Sequence, residues 1–339
     1  MNRTMVKRNV GLFFACLLVL SACGRKEPPG REPERVTIAL QTWVGYGPLY
    51  LAAEKGFFAE EGLELVFVGE ELDAARRDAF MAGMLDAEAA TIDLLVAKRA
   101  LGAPVVAVAE TGLSLGGDAV VATADVRQLP DLVGKRVAFA RDDVGETFLS
   151  VLFHRAGLSL DQITIVPRAT DAVAQAFLDG AADAAVTWEP WVTRALAREG
   201  AHVLVSSRDE PGIIVDVLNV REDLVRNNPL LVKKLVRGWY KAVDYYGAHP
   251  AEASRIIAAC YGLSPEEYRK QVAGMRWPAC EEARADFGTQ EKPGRLFELF
   301  DMIALIKQKT GRIPARPEAA QALEPRILQT LHGDGEMTR

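Results

Sequence analysis

From Arg35 onward the chain alternates between two periodicities. Residues 36–40, VTIAL, are a β-rich apolar run, and a short run of this kind beside turn residues predicts a buried strand. Pro48 then stands where a helix begins, because the N–H it lacks is one that a first helical turn leaves unpaired. The helix is expected to run to about Lys55 and to close at Gly56. LELVFV (63–68) predicts a second strand, and Asp73 to Ala82 a helix ended by Gly83, with a short apolar segment after it. Strands and helices in this order predict a parallel sheet with crossover helices.

The same order returns about 100 residues later. KRVAFA (135–140) reads as a strand, Gly145 to Ala156 as a helix, ITIV (163–166) as a strand and Asp171 to Leu178 as a helix. AFMAGMLDA (79–87) and AFLDGAADA (176–184) share Ala, Phe, Gly, Asp and Ala in register. A helix-ending Gly before a strand is also ordinary punctuation, but the whole order recurs, so two similar α/β halves are predicted. The second half opens through an apolar strand at 119–123. It closes near 213–220, where another β-rich run carries the chain back. Beyond Arg221 the pattern is helical, and Ser264-Pro265-Glu266-Glu267 has the form of a capping box. Two crossings between the halves would make a hinge.

Composition changes this picture little. At 339 residues, with 49% hydrophobic and 25% charged residues, the chain is long enough for two domains with buried cores. A net charge of −6 argues against a nucleic-acid surface. The first residues differ from the rest. Arg3, Lys7 and Arg8 precede an apolar run from Gly11 to Leu20, too short to span a bilayer comfortably, and Leu20-Ser21-Ala22-Cys23 follows. This is the form of an export signal; a retained membrane helix is the weaker alternative. Residues 23–34 are rich in proline, glycine and charge and read as a tether. Export permits a disulfide between Cys260 and Cys280, although buried thiols are also common. Two cysteines without a nearby histidine do not suggest a metal site, and no cofactor motif is present.

WVGYGPLYLAAEKGFFAEEGLEL, AFMAGMLDA, DLVGKRVAF, AFLDGAADAAVTWEPW and PGIIVD resemble the periplasmic solute-binding proteins of ABC importers. The branch is that for nitrate, aliphatic sulfonates, taurine and thiamine-pyrimidine precursors, and the resemblance covers roughly residues 35 to 280. It implies a type II periplasmic-binding fold, two α/β lobes joined by two hinge strands and closing on a small molecule. On that basis lobe 1 comprises 35–117 and 217–310, lobe 2 comprises 118–216, and 311–339 is a tail. The Leu-Ser-Ala-Cys ending resembles the bacterial lipobox, which implies removal of residues 1–22 and lipidation at Cys23. A monomer on the outer face of a membrane, served by a permease and an ATPase, is the arrangement implied.

Ligands of open α/β sheets bind outside the carboxyl ends of the strands, at helix N-termini. This selects TWVGYGP after the first strand and RDDVGET after 135–140. Trp43 and Tyr46 offer flat faces with a polar tip each, unless they only cap the sheet, while Gly45 and Gly47 are expected to let backbone approach the ligand. Gly145, Glu146 and Thr147 start the facing helix; Glu146 is either an ordinary first-turn acid or faces the cleft. Trp188 and Glu189 end a strand, with wall or capping roles open. Asp118 and Asp216 lie in the proposed hinge strands and Asp93 at a strand end of the first half. A buried carboxylate without partners is unfavourable, so convergence of these acids points to a cationic or nitrogen-rich ligand. Arg141 and Arg208 are the candidates if the ligand is instead an anion, as for the sulfonate members.

Two other classes compete. Some relatives of this fold resemble pyrimidine synthases that use a lysine-bound pyridoxal phosphate and an active-site histidine, but His154, His202, His249 and His332 are all outside the first-half loops and Lys55 lies behind its helix opening. A sensing receptor would have to signal through a separate protein.

Overall fold

Two sheets carry the fold, and both follow one plan. The first is built from β1 (Glu34–Leu40), β2 (Leu63–Val68), β3 (Ala87–Thr91) and β4 (Val105–Ser114). Helices α1 (Gly47–Glu54), α2 (Phe57–Glu60), α3 (Asp73–Met81) and α4 (Ile92–Ala100) lie between them. The second contains β5 (Asp118–Ala122), β6 (Arg136–Phe139), β7 (Thr164–Pro167), β8 (Ala184–Trp188) and β9 (His202–Ser206). Its helices are α5 (Val144–Arg155), α6 (Thr170–Leu178) and α7 (Trp191–Ala195). The chain returns through β10 (Val215–Arg221) to α8 (Glu222–Asn227), α9 (Pro229–Ala248), α10 (Pro250–Cys260) and α11 (Pro265–Val272). The short β11 (Met275–Arg276), α12 (Cys280–Phe287), α13 (Arg295–Lys309), α14 (Ala319–Ala322) and α15 (Arg326–Gln329) complete it. This is a computed structural model that describes residues 32–40, 43–69 and 73–331. The expected export signal, Cys23 and most of the expected tether lie outside the described residues. The body from Pro33 onward is a compact unit in its own right.

In space the first sheet runs β2-β1-β3-β10-β4-β11 and the second β7-β6-β8-β5-β9. Each has three parallel strands, with β1 in the middle of the first trio and β6 in the middle of the second. Each then takes, as its antiparallel fourth, the strand that has just crossed from the other half. The recurring order in the sequence is thus a recurring strand order. Phe80 and Phe177, from the two matched segments, are both buried, and Gly83 and Gly180 behind them both have positive φ, 69° and 73°, which only glycine adopts without strain.

The first lobe holds one core in which Trp239, Tyr268, Phe287 and Phe300 of the C-terminal helices pack with the sheet residues. The second sheet is covered on both faces, by Phe148 and Phe153 of α5 on one and Phe177 and Val192 of α6 and α7 on the other. Sheets covered on both sides explain the near-continuous apolar strands. The exception is Glu88, fully buried within β3, where Lys98 pairs with it at 2.9 Å and Arg76 at 3.3 Å. At α11, Ser264 Oγ accepts from the Glu267 N–H at 3.2 Å and Glu267 accepts from the Ser264 N–H at 2.8 Å, the expected capping box.

Three expectations need correction. Asp216 was expected at the edge of the second half, but β10 belongs to the first sheet from its start, with Asp216 opposite Gly112 of β4 and Thr91 of β3. The described part of the expected tail is structural: Ile313, Ala322, Leu323, Ile327 and Leu328 are buried in the first core, and Leu323 bridges to Ala107. No disulfide joins Cys260 and Cys280. Cys260 is exposed at the end of α10, where its thiol contacts the Ile256 carbonyl, whereas Cys280 opens α12 beside Arg284 and Glu281.

Candidate functional site

The halves are joined at Leu115–Gly117, between β4 and β5, and at 207–214, between β9 and β10. One serine stitches these crossings together. Ser207 Oγ accepts from the Gly116 N–H at 2.7 Å and lies 2.7 Å from Ser114 Oγ. Beside this hinge, at the carboxyl ends of β3 and β8, lies a narrow cleft between the two halves. Trp43, Tyr46 and Trp188 supply its aromatic walls, Val144, Ile214 and Met275 its aliphatic ones, and Thr91 and Ser114 its hydroxyls. Its charged lining residues are Asp118 and Asp216.

Both carboxyls are almost fully buried, and each has one close donor. Tyr46 O–H donates to Asp216 Oδ1 at 2.7 Å, and Ser114 O–H donates to Asp118 Oδ2 at 2.5 Å. Burial pushes Asp118 up to about 7; the Ser114 bond opposes this, while the charges of Asp216, Asp143 and Asp93 add to it. Burial likewise raises Asp216 to about 6 against the pull of Tyr46. The Tyr46 phenol itself is driven well above its ordinary value by burial and by the Asp216 charge. Near neutrality the pair therefore holds a partial negative charge, poised to be completed by a positively charged or donor-rich partner.

The backbone around these groups is shaped for them. On Gly112, a Cβ atom would lie 2.7 Å from Asp216 Oδ2 and 3.2 Å from Met275 Cε; on Gly45 it would meet the Trp43 indole at 2.2 Å. Gly45 therefore makes room for a cleft wall. Gly47, expected to admit the ligand, instead brings α1 against α10 and α11, since its Cβ would meet Ile257 at 2.4 Å and Tyr268 Oη at 2.9 Å.

The loops opening α1 and α5 share the cleft through Trp43, Tyr46 and Val144, but the first turn of α5 makes its direct contact with the start of α4 and not with α1. Thr147 O–H on α5 donates to Asp93 Oδ2 on α4 at 2.7 Å, and Lys307 of α13 reaches the same oxygen at 3.1 Å. Burial favours the neutral acid at Asp93, but Lys307, Thr91 and Thr147 together hold it below the usual aspartate range. Asp93 is thus neutralised one layer behind the cleft. Glu146 turns away to Arg312 at 2.5 Å, Arg141 at 3.3 Å and the Asp142 N–H at 2.7 Å. Gly145 packs under the Val186 carbonyl. Glu189 caps α7 by accepting from Thr193 N–H and Oγ1 at 3.1 and 2.9 Å. Arg208 is exposed. Thr91, Ser114, Val144, Ile214 and Met275 line the cleft without having been singled out from the sequence. Among the described residues no group of three or more His, Cys, Asp or Glu is placed to hold a metal ion.

Comparison with known proteins gives a consistent setting for this cleft. A family model described as NMT1/THI5 like matches residues 43–253. A Bacillus subtilis (strain 168) protein named for aliphatic sulfonate binding is 26% identical over 263 residues, covering 75% of this chain and 78% of its own length. The periplasmic aliphatic sulphonate binding protein SsuA of Escherichia coli superposes with a TM-score of 0.70 at 17% identity, over 88% of this chain and 99% of its own. The desulfurization enzyme DszB shares the fold at a TM-score of 0.59 and 20% identity, over 88% and 99% of the two chains.

Proposed function

The chain belongs to the NMT1/THI5-like family, and on that footing we propose that it is an extracytoplasmic solute-binding protein that captures a small molecule between its lobes and hands it to an ABC importer. Closure of two lobes on a ligand is a known signal to a partner. The sequence Leu20-Ser21-Ala22-Cys23 supports a lipid anchor at Cys23, and among the described residues no helix is long and apolar enough to cross a membrane. The ligand is a flat amine, amidine, guanidinium or aminopyrimidine. One observation carries this choice: the lining has two carboxyls and three aromatic rings, and no Lys, Arg or His among its ten residues. A sulfonate would need donors or positive charge where this cleft offers acceptors. The same lining lacks a Cys, His or Lys that could serve as nucleophile or base, which favours binding over catalysis of the kind found elsewhere on this fold.

The test is a thermal-shift screen of the chain lacking residues 1–24, with amines, guanidines and aminopyrimidines in one pool and nitrate, sulfonates and bicarbonate in the other. A ligand at about 100 times its Kd adds about 2.7 kcal/mol of stability. A shift with the nitrogen bases alone is expected. A shift with the anions alone would mean that Asp118 and Asp216 are structural and that the ligand class is wrong.

A further inference from the structure

Four consecutive residues after α11 touch the hinge, the cleft and the loop between β1 and α1 in turn. The Gly274 carbonyl accepts from the Leu115 and Gly117 N–H groups, both at 2.8 Å. Gly274 lies so close to this crossing that a Cβ would fall 2.5 Å from Gly117 N and 2.8 Å from the Gly116 carbonyl carbon. Met275 pairs with Ser114 and Arg276 with Leu113, adding β11 to the outer edge of β4. The Met275 side chain lines the cleft, and its Sδ is 2.7 Å from where a Gly45 Cβ would stand. Trp277 Nε1–H then donates to the Gly45 carbonyl at 2.7 Å, with its ring held 4.6 Å from that of Tyr246.

We propose that Gly274–Trp277 is a strut that couples the Gly116–Gly117 crossing to the Trp43–Gly47 loop. Along the chain β2, β3 and β4 separate that loop from the first crossing; its direct tie to the returning strand is the Tyr46–Asp216 hydrogen bond, and the strut supplies a second, independent path from the other crossing. The strut ends in a directional bond at each extremity, backbone to backbone at Gly274 and indole to carbonyl at Trp277, so displacement at one end is carried to the other. Trp277 and Gly274 are positioning residues: they act on the ligand only through Met275 and the loop that carries Trp43 and Tyr46. The role of the loop rests on the binding function proposed above, but the strut itself is testable without a ligand.

Hydrogen exchange on the ligand-free chain lacking residues 1–24 reads both ends. Trp277→Phe keeps an aromatic ring against Tyr246, though a smaller one, and removes the N–H. It is expected to raise amide exchange in the loop (residues 43–47) by about fivefold, the size for one lost hydrogen bond, and to raise exchange at 113–118 as well. Tyr261→Phe is the control. The Tyr261 hydroxyl also braces the loop, donating to the Trp43 carbonyl at 3.0 Å, but it bypasses the strut, so it should loosen the loop and leave 113–118 unchanged. Gly274→Ala perturbs the other end, and its effect on the loop should be non-additive with Trp277→Phe and additive with Tyr261→Phe. Unchanged exchange at 113–118 in Trp277→Phe, or equal effects there of Trp277→Phe and Tyr261→Phe, would overturn the strut even if Gly274→Ala fails to fold. Neither result bears on the ligand screen, and a failed screen leaves the strut standing.

Discussion

The hydroxyl of Thr147, in the first turn of α5, donates to the carboxylate of Asp93, in the first turn of α4, across 2.7 Å. Each helix start belongs to a different lobe, so the contact joins the lobes behind the cleft. Lys307 completes it as a buried ion pair. Removing one partner of such a pair leaves an uncompensated charge, at a cost of about 3–5 kcal/mol. Lys307→Met is expected to lower unfolding stability by about that much in urea denaturation, and Asp93→Asn in the same chain to recover a large part of it. Full stability in Lys307→Met alone would show that Asp93 has other compensation.

Asp118 and Asp216 give a pH dependence of definite sign. Their folded values, about 7 and about 6, exceed that of a free aspartate, about 3.9. Between these limits the folded chain binds protons that the unfolded chain has released. Their contribution to stability is therefore full below about pH 4 and is lost as pH rises through about 6 and 7. The slope is at most about 1.4 kcal/mol per pH unit for each group. Urea midpoints of the parent and of Asp118→Asn/Asp216→Asn, taken from pH 4.5 to 8, should diverge in slope in that direction. Parallel profiles would show the two carboxyls to be ordinary.

The same ionisation favours a cation. Affinity for the nitrogen base that shifts the melting temperature most should rise with pH between 5 and 8, by up to about tenfold per unit for each carboxyl that must ionise. Isothermal titration at three pH values checks this, and an affinity that falls with pH would remove the acidic pair from recognition.

Gly112 has no room for a side chain. Gly112→Ala is expected to drive Asp216 and Met275 from their positions, with a loss of about 1–3 kcal/mol from overpacking and at least a tenfold loss in ligand affinity. Retained affinity would mean that Asp216 does not contact the ligand.

The segment after α13 tests the extent of the first lobe. A chain ending at Thr310 exposes the apolar partners of Ile313, Leu323, Ile327 and Leu328. It is expected to lose cooperative thermal unfolding, measured by calorimetry. A sharp transition near that of the parent would return these residues to the status of a tail.

The sequence by itself determined the alternation of strands and helices, the two similar halves, the capping box at Ser264 and the loop holding Trp43 and Tyr46. Each is a matter of local periodicity, turn chemistry or backbone permission, which neighbouring residues settle among themselves. It also brought Asp118, Asp216 and Trp188 forward, because polar or aromatic residues at the ends of apolar strands need a reason. β3 reads in the sequence only as a short apolar segment, since Glu88 breaks its pattern and partners from other elements, Arg76, Lys98 and Asn219, make that charge tolerable in a core. The tertiary structure alone decided which acids share the cleft and which are neutralised elsewhere: Asp93 by Lys307, Glu146 by Arg312, Glu189 by a helix start. It also brought Tyr46 to Asp216 over 170 residues of chain and Trp277 to Gly45 over 232. Contacts so distant leave no periodic trace, because what selects them is the packing of completed elements and not the preference of any one segment.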